Sequence, residues 1–125
     1  MNLNQVTIPC TDIHKSIEFY KKLGLKLIVH SHNEYARFLC PNGNSTFSLH
    51  KVASKTSNNT WVYFEVDDLA EKIANLKANK ISIEEDIKQQ PWLWTEARLK
   101  DPYGNQIIIY HAGENRINPP WRLKE

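Results

Sequence analysis

Few side chains in this sequence carry chemistry, and they are scattered. Ser48 and His50 stand two apart, which on a strand puts a hydroxyl beside an imidazole on one side, but no orienting acid or pair of oxyanion donors can be named from the spacing. His50 or Glu65 can act as general acid or base on a bound acid. His50 with Glu65 or Glu96 also offers donors for a divalent metal at a non-standard site, although no spacing motif joins them. Arg37 and Arg98 suit a carboxylate or phosphate through paired hydrogen bonds; the alternative is that Glu34, Glu65 or Glu96 neutralises them. Cys10 precedes a helix start, where its thiol is either activated by the helix N-terminus or simply packed as a small apolar group. Two cysteines without a CxxC pair indicate neither structural zinc nor a redox motif, and the four glycines form no phosphate-cradling loop.

The elements that must position these groups are written twice. "ARFLCPNGN" begins at Ala36 and "ARLKDPYGN" at Ala97, 61 positions later. Upstream, a shift of 56 superposes Asp12 on Asp68, Ile13 on Leu69 and Ile17 on Ile73, and lays Gln5 over Trp61. Helix one starts at Asp12 as N-cap, carries Ile13, Ile17 and Tyr20 on one side and ends near Gly24. Helix two starts at Asp67 or Asp68 and carries Leu69, Ile73 and Leu76. The growth of the offset predicts five extra residues in the second half, around "DIKQQPWLW". After each Gly-Asn turn, "STFSLHK" and "QIIIYHA" read as closing strands. Each half is then strand, helix, strand, strand, strand: module one spans about residues 3–50, module two about 61–111, with a polar linker at 51–60 and a tail at 112–125.

At 125 residues a single domain is expected, with the repeat inside it. The net charge of +2 argues for neither nucleic acid nor an anionic membrane as partner. With no secretory leader and no apolar run long enough to span a bilayer, a cytoplasmic protein with reduced thiols is expected.

Strand alternation sorts the side chains onto two faces. Val6, Ile8, Ala36, Phe38, Phe47, Leu49, Val62, Phe64, Val66, Ala97 and Leu99 make the set that packs under the helices. Gln5, Thr7, Tyr35, Arg37, Ser48, His50, Trp61, Tyr63, Glu65, Glu96 and Arg98 take the other face, joined by Ile108 and Tyr110 of the last strand. Two such sheets curving together make a concave cup with aromatic walls and convergent polar groups, which is what a small-molecule site looks like. Trp92 and Trp94 either stack on a ligand or serve as core or dimer contacts, and Pro119, Pro120 and Trp121 read as a rigid tail docking an aromatic ring on a surface.

Two βαβββ units, "FEVDDLAEKI" opening the second and "DPYGN" before the final strand, resemble the vicinal oxygen chelate superfamily over Leu3 to Tyr110. That family includes glyoxalase I, extradiol dioxygenases, fosfomycin-resistance enzymes and bleomycin-resistance proteins. The resemblance implies an α+β fold of two tandem βαβββ modules forming a curved cup with the helices outside, and a homodimer. It also implies a divalent metal held from the first, fourth, fifth and eighth strands, positions that fall here on Gln5, Ser48, Trp61 and Ile108. Only Gln5 has donor chemistry of any use there, so no metal ligand is assigned and no cofactor is expected. The leading expectation is a metal-independent protein binding a small organic, anionic molecule through Gln5, Thr7, Arg37, Ser48, His50, Trp61, Tyr63, Glu65, Glu96 and Arg98. The alternative is a lyase, isomerase or dioxygenase-type enzyme with a rearranged metal or a metal-free acid/base. A third is an interaction module whose cup its own tail fills.

Overall fold

A computed structural model describes residues 1–57 and 60–124; Asn58 and Asn59 of the expected linker and Glu125 of the tail lie outside the described residues. Module one runs β1 (Gln5–Cys10), α1 (Ile13–Leu23), β2 (Lys26–Ser31), β3 (Tyr35–Leu39) and β4 (Thr46–Lys51). Module two repeats it as β5 (Trp61–Glu65), α2 (Leu69–Ala78), β6 (Glu85–Gln89), β7 (Thr95–Lys100) and β8 (Gln106–His111), followed by a 3-10 helix at Gly113–Arg116. The protein is thus α+β, built from two βαβββ modules.

Both sheets have one plan. The first is ordered β1-β4-β3-β2 and the second β5-β8-β7-β6. Hairpins join the last three strands of each module antiparallel, and the closing strand lies parallel to the first, β1 with β4 and β5 with β8. The helix between the first and second strands is the crossover such a parallel pair requires. Asp12 and Asp68 start the helices, accepting from Lys15 N at 3.1 Å and Glu71 N at 3.0 Å. Each cap is worth about 1 kcal/mol.

The extra residues of module two are not one loop around "DIKQQPWLW": its first four residues belong to β6, and only the last five, 90–94, are the longer hairpin. They are divided between the helix-to-strand connection, residues 79–84 against 24–25, and the hairpin, residues 90–94 against 32–34. A bulge in β6 between Glu85 and Lys88 matches one in β2 between Leu27 and Val29. Strand alternation cannot see a bulge, so an edge strand with five exposed side chains reads as a loop.

The fold groups into two compact units: residues 1–60 with Asp101–Asn105, and residues 61–100 with those from 106 onward. In the first, α1 lays Ile13, Ile17, Tyr20 and Leu23 on the sheet, and the Tyr20 ring sits 4.6 Å from Phe47 and 5.9 Å from Phe38. Full burial of such side chains contributes about 1.5–3 kcal/mol each.

That unit contains a piece of the second repeat. Asp101 Oδ1 accepts from the backbone N–H groups of Tyr103, Gly104 and Asn105 at 2.9–3.0 Å, while Oδ2 accepts from Tyr20 Oη at 2.6 Å and Asn105 Nδ2 at 2.8 Å. Asn105 Nδ2 also donates to Pro9 O at 3.0 Å. Five donors hold a carboxylate that is only 5% exposed. Burial, with the Asp101 charge second, pushes the Tyr20 phenol well above its ordinary range.

In the second unit α2 buries Leu69, Ile73 and Leu76 against the sheet. Because β8 is apolar on both sides, Ile108, Tyr110 and Ala112 build a further cluster with Trp94 on the opposite face. In the tail Trp121 is 56% exposed on its own chain, and Trp94 of the hairpin reaches the tail, donating Nε1 to Asn115 O at 3.3 Å. No helix among the described residues is long and apolar enough to cross a membrane.

Candidate functional site

The helix-free face of each sheet carries the expected residues, and the two faces are chemically unlike. On the second, Trp61, Tyr63 and Glu65 alternate along edge strand β5, and Tyr63 is paired with Ile108, Glu96 with Tyr110 and Arg98 with Ile108. Their rings form a chain: Tyr63 lies edge-on to Trp94 at 5.9 Å and to Tyr110 at 5.5 Å, and Trp94 stacks on Tyr110 at 4.8 Å. Trp61 and Tyr63 stay 52% and 39% exposed. The Arg98 guanidinium lies over Trp61, 5.1 Å from its centroid, a cation–π arrangement that fixes both.

Glu96 is buried and fully employed, since Oε2 accepts from Trp92 Nε1 at 2.8 Å and Oε1 from Arg98 Nη2 at 3.2 Å. Arg98 Nε stands 3.6 Å from Glu85 Oε2, and this buried nitrogen makes no hydrogen bond. Arg98 is thus ion-paired with Glu96, its Nη2 donating to that carboxylate. These groups border an open pocket of about 400 Å³ lined by Glu85, Asp86, Lys88, Gln90, Glu96 and Arg98. Burial raises the Tyr63 phenol above its ordinary value, helped by the Glu96 charge.

Glu65 is turned to another use. Its Oε2 accepts from the N–H groups of Ala112 and Gly113 at 2.7 and 3.0 Å, and Arg116 Nε lies 3.7 Å from Oε1. The carboxylate therefore ties down the start of the 3-10 helix, a contact the strand pattern could not reveal. Trp92 and Trp94 also divide: Trp92 stays 38% exposed beside Glu96, whereas Trp94 is structural.

On the first face the side chains form one line of hydrogen bonds. Gln5 Nε2 donates to Ser48 Oγ at 2.8 Å and to Thr7 Oγ1 at 3.2 Å, and Thr46 Oγ1 donates to Gln5 Oε1. Ser48 Oγ lies 2.8 Å from Tyr35 Oη, which accepts from Arg37 Nε at 2.9 Å. The Arg37 guanidinium also lies over the Tyr35 ring, 5.4 Å from its centroid. Burial raises the Tyr35 phenol, but its bonds with Ser48 and Arg37 outweigh this and hold it below the ordinary value. His50 is registered opposite Tyr35 and exposed, outside this line. The Ser48/His50 pairing therefore has no hydrogen-bonded geometry to support it. Cys10 is not an activated thiol either: burial and the Asp101 charge push it up to about 11.

The metal implied by the fold resemblance does not fit the side chains at its four positions. Gln5 and Ser48 are bonded to each other, the Trp61 indole offers no lone pair, and Ile108 is a fully buried hydrocarbon. Among the described residues no three His, Cys, Asp or Glu side chains are grouped to hold an ion, and the rearranged candidates Glu65 and Glu96 are engaged as described.

Residues 2–109 match the family model described as the Glyoxalase/Bleomycin resistance protein/Dioxygenase superfamily. The chain belongs to this superfamily. Its fold is shared with solved structures of low sequence identity. A lactoylglutathione lyase from Agrobacterium tumefaciens is 16% identical, with 94% of this chain and 96% of that one covered and a TM-score of 0.76. A bleomycin-binding protein in complex with bleomycin is 18% identical, with 89% and 98% covered and a TM-score of 0.74. A glyoxalase/bleomycin resistance protein/dioxygenase from Nocardioides is 19% identical, with 99% and 90% covered and a TM-score of 0.77. No curated protein sequence matches the chain. At these identities the superfamily supplies the scaffold, and function must be argued from the side chains.

Proposed function

We propose that this superfamily member binds a small organic molecule without the usual divalent metal. The observation that carries the reading is the pair Trp61 and Tyr63, exposed on edge strand β5 and held on the same face by Trp94, Tyr110 and Arg98. Rigid aromatic faces bind planar or apolar groups with little loss of rotamer freedom. Within the second unit, Glu96 and Arg98 border the adjoining pocket and supply its polar groups, while Gln5, Thr7, Ser48 and His50 supply those of the first unit's own face. The bleomycin-binding relative lends support as an instance of the same scaffold used for binding. The reading includes a homodimer, supported by the exposed Ile117, Trp121 and Leu123 of the tail.

Tryptophan fluorescence titrated with a panel of planar organic compounds tests the proposal. A saturable change is expected, with affinity at least about tenfold weaker in Trp61→Ala. A panel without effect, or unchanged affinity in the variant, overturns it. Binding abolished by a chelator and restored by a divalent ion removes the metal-free part, and light scattering at the mass of one chain removes the dimer.

A further inference from the structure

We propose that the helix-free face of β1–β4 holds an oxoanion, a carboxylate or phosphate group, on the outer edge of the Arg37 guanidinium. The inference rests on the reading of this chain as a small-molecule binder and specifies the class of ligand group for module one.

Three independent features support it. First, the charges are one-sided: β1 to β4 contain Lys26, Arg37 and Lys51 and no Asp or Glu, whereas β5 to β8 contain Lys88, Arg98 and Lys100 against Glu65, Glu85, Asp86 and Glu96. Second, Arg37 forms no ion pair among the described residues, while Arg98, its counterpart in the repeat, is balanced by buried Glu96 and by Glu85. A guanidinium already paired with two carboxylates suits a neutral acceptor. A free one suits an anion. Third, Arg37 is already held in place. Its Nε is bonded to Tyr35 Oη and its plane rests over the Tyr35 ring, while Tyr35 is bonded to Ser48, which is fully buried and bonded to Gln5. That bracing uses Nε alone, so Nη1 and Nη2 remain as a fork matched to two oxygens of one ligand group, with part of the arginine's rotamer entropy already lost.

The neighbouring strands do not oppose the charge. β2 brings Ser31 opposite Tyr35 and Val29 opposite Arg37; β4 brings Ser48 and His50; β1 brings Gln5 and Thr7. His50 adds a positive charge when protonated. The nearest acid in sequence is Glu34, in the hairpin before β3.

The test uses the full chain labelled with ¹⁵N. Arginine Nε–Hε signals, together with the backbone amide signals of β3 that report binding in every variant, are followed during titration with inorganic phosphate and, separately, with acetate, the ionic strength being held constant with sodium chloride. The expected result is a saturable shift of the Arg37 signal with one or both anions, while the Arg98 signal of the same sample stays in place. Affinity should fall at least about tenfold in Arg37→Gln and by a smaller factor in Tyr35→Phe, which keeps the charge but removes the brace. Arg37→Lys, retaining charge without the fork, should fall between them. Response to phosphate alone, to acetate alone or to both identifies which oxoanion the site prefers. A response no greater than that to chloride, or one undiminished in Arg37→Gln, overturns the inference. Trp61-dependent binding of a planar compound would survive that outcome, so the two proposals fail separately.

Discussion

The two modules match strand for strand, yet the turn before the last strand does different work in each. In "DPYGN" a buried aspartate gathers three backbone N–H groups, the Tyr20 hydroxyl and the Asn105 amide. In "CPNGN" the aspartate is replaced by Cys40, and Pro41, Asn42, Gly43 and Asn44 stand on the surface. Gly43 and Gly104 both have positive φ, 80° and 103°, so the glycine conformation is common to the turn with the carboxylate and the turn without it. The helix-free faces have parted similarly. Module two pairs its arginine with a buried acid and lays it over Trp61, while module one braces its arginine with a phenol and, among the described residues, gives it no ion pair. The repeat thus keeps what the backbone needs, while the side chains on the helix-free faces differ between its two copies.

Asp101→Ala should produce the largest effect, about 3–5 kcal/mol of lost stability in urea denaturation, because five donors lose their acceptor in a buried place. Cys40→Ala should cost less than about 1 kcal/mol. Similar losses for the two would break the comparison.

Next in size, Arg98→Gln should destabilise by about 2–3 kcal/mol, since buried Glu96 would keep only Trp92 as partner. Arg37→Gln, at an exposed position, should remain within about 1 kcal/mol. Equal effects would mean that the fold depends on Arg37 no less than on Arg98.

Tyr20→Phe should cost about 1.5–3 kcal/mol by removing a hydrogen bond to a charged acceptor. It should also flatten the alkaline limb of the stability profile. Burial raises the folded-state pKa of Tyr20 above its ordinary 10.0, so the unfolded chain loses that proton first. The associated stability is complete below pH 10.0 and declines as the pH rises beyond it. Denaturation measured across that range in both proteins checks the sign, and a parallel decline would refute the assignment.

The smallest effect concerns reactivity rather than stability. Cys40, half-buried, should react with a disulfide reagent in the folded protein, whereas Cys10, fully buried and with its thiol raised to about 11, should wait for unfolding. Early labelling of Cys10 would show that the first unit opens locally.

Much of this was legible in the residues. Asp12 and Asp68 announce the helices, the alternation in "VYFEV" and "TFSLH" separates the two faces, and the paired Gly-Asn turns locate the closing strands. Those features are local, set by backbone geometry and the period of side chains. The one-sided charge of β1 to β4 was equally legible, but a whole-chain balance of +2 conceals it. Other features were not legible because they depend on residues far apart in the chain. Nothing in "DPYGN" says that Asp101 will meet Tyr20, 81 positions away, and nothing in "VYFEV" says that Glu65 will hold the N–H groups of Ala112 and Gly113.

By itself the sequence determined the repeat, the element types, the face each candidate side chain takes and the poor donor set at the superfamily's metal positions, because period and residue chemistry are local properties. Tertiary structure alone decided which arginine is spent and which is free, which carboxylates are structural, and that the turn of the second repeat completes the first unit. Those outcomes depend on which donor and acceptor meet at hydrogen-bonding distance after packing, and the order of residues along the chain does not contain that distance.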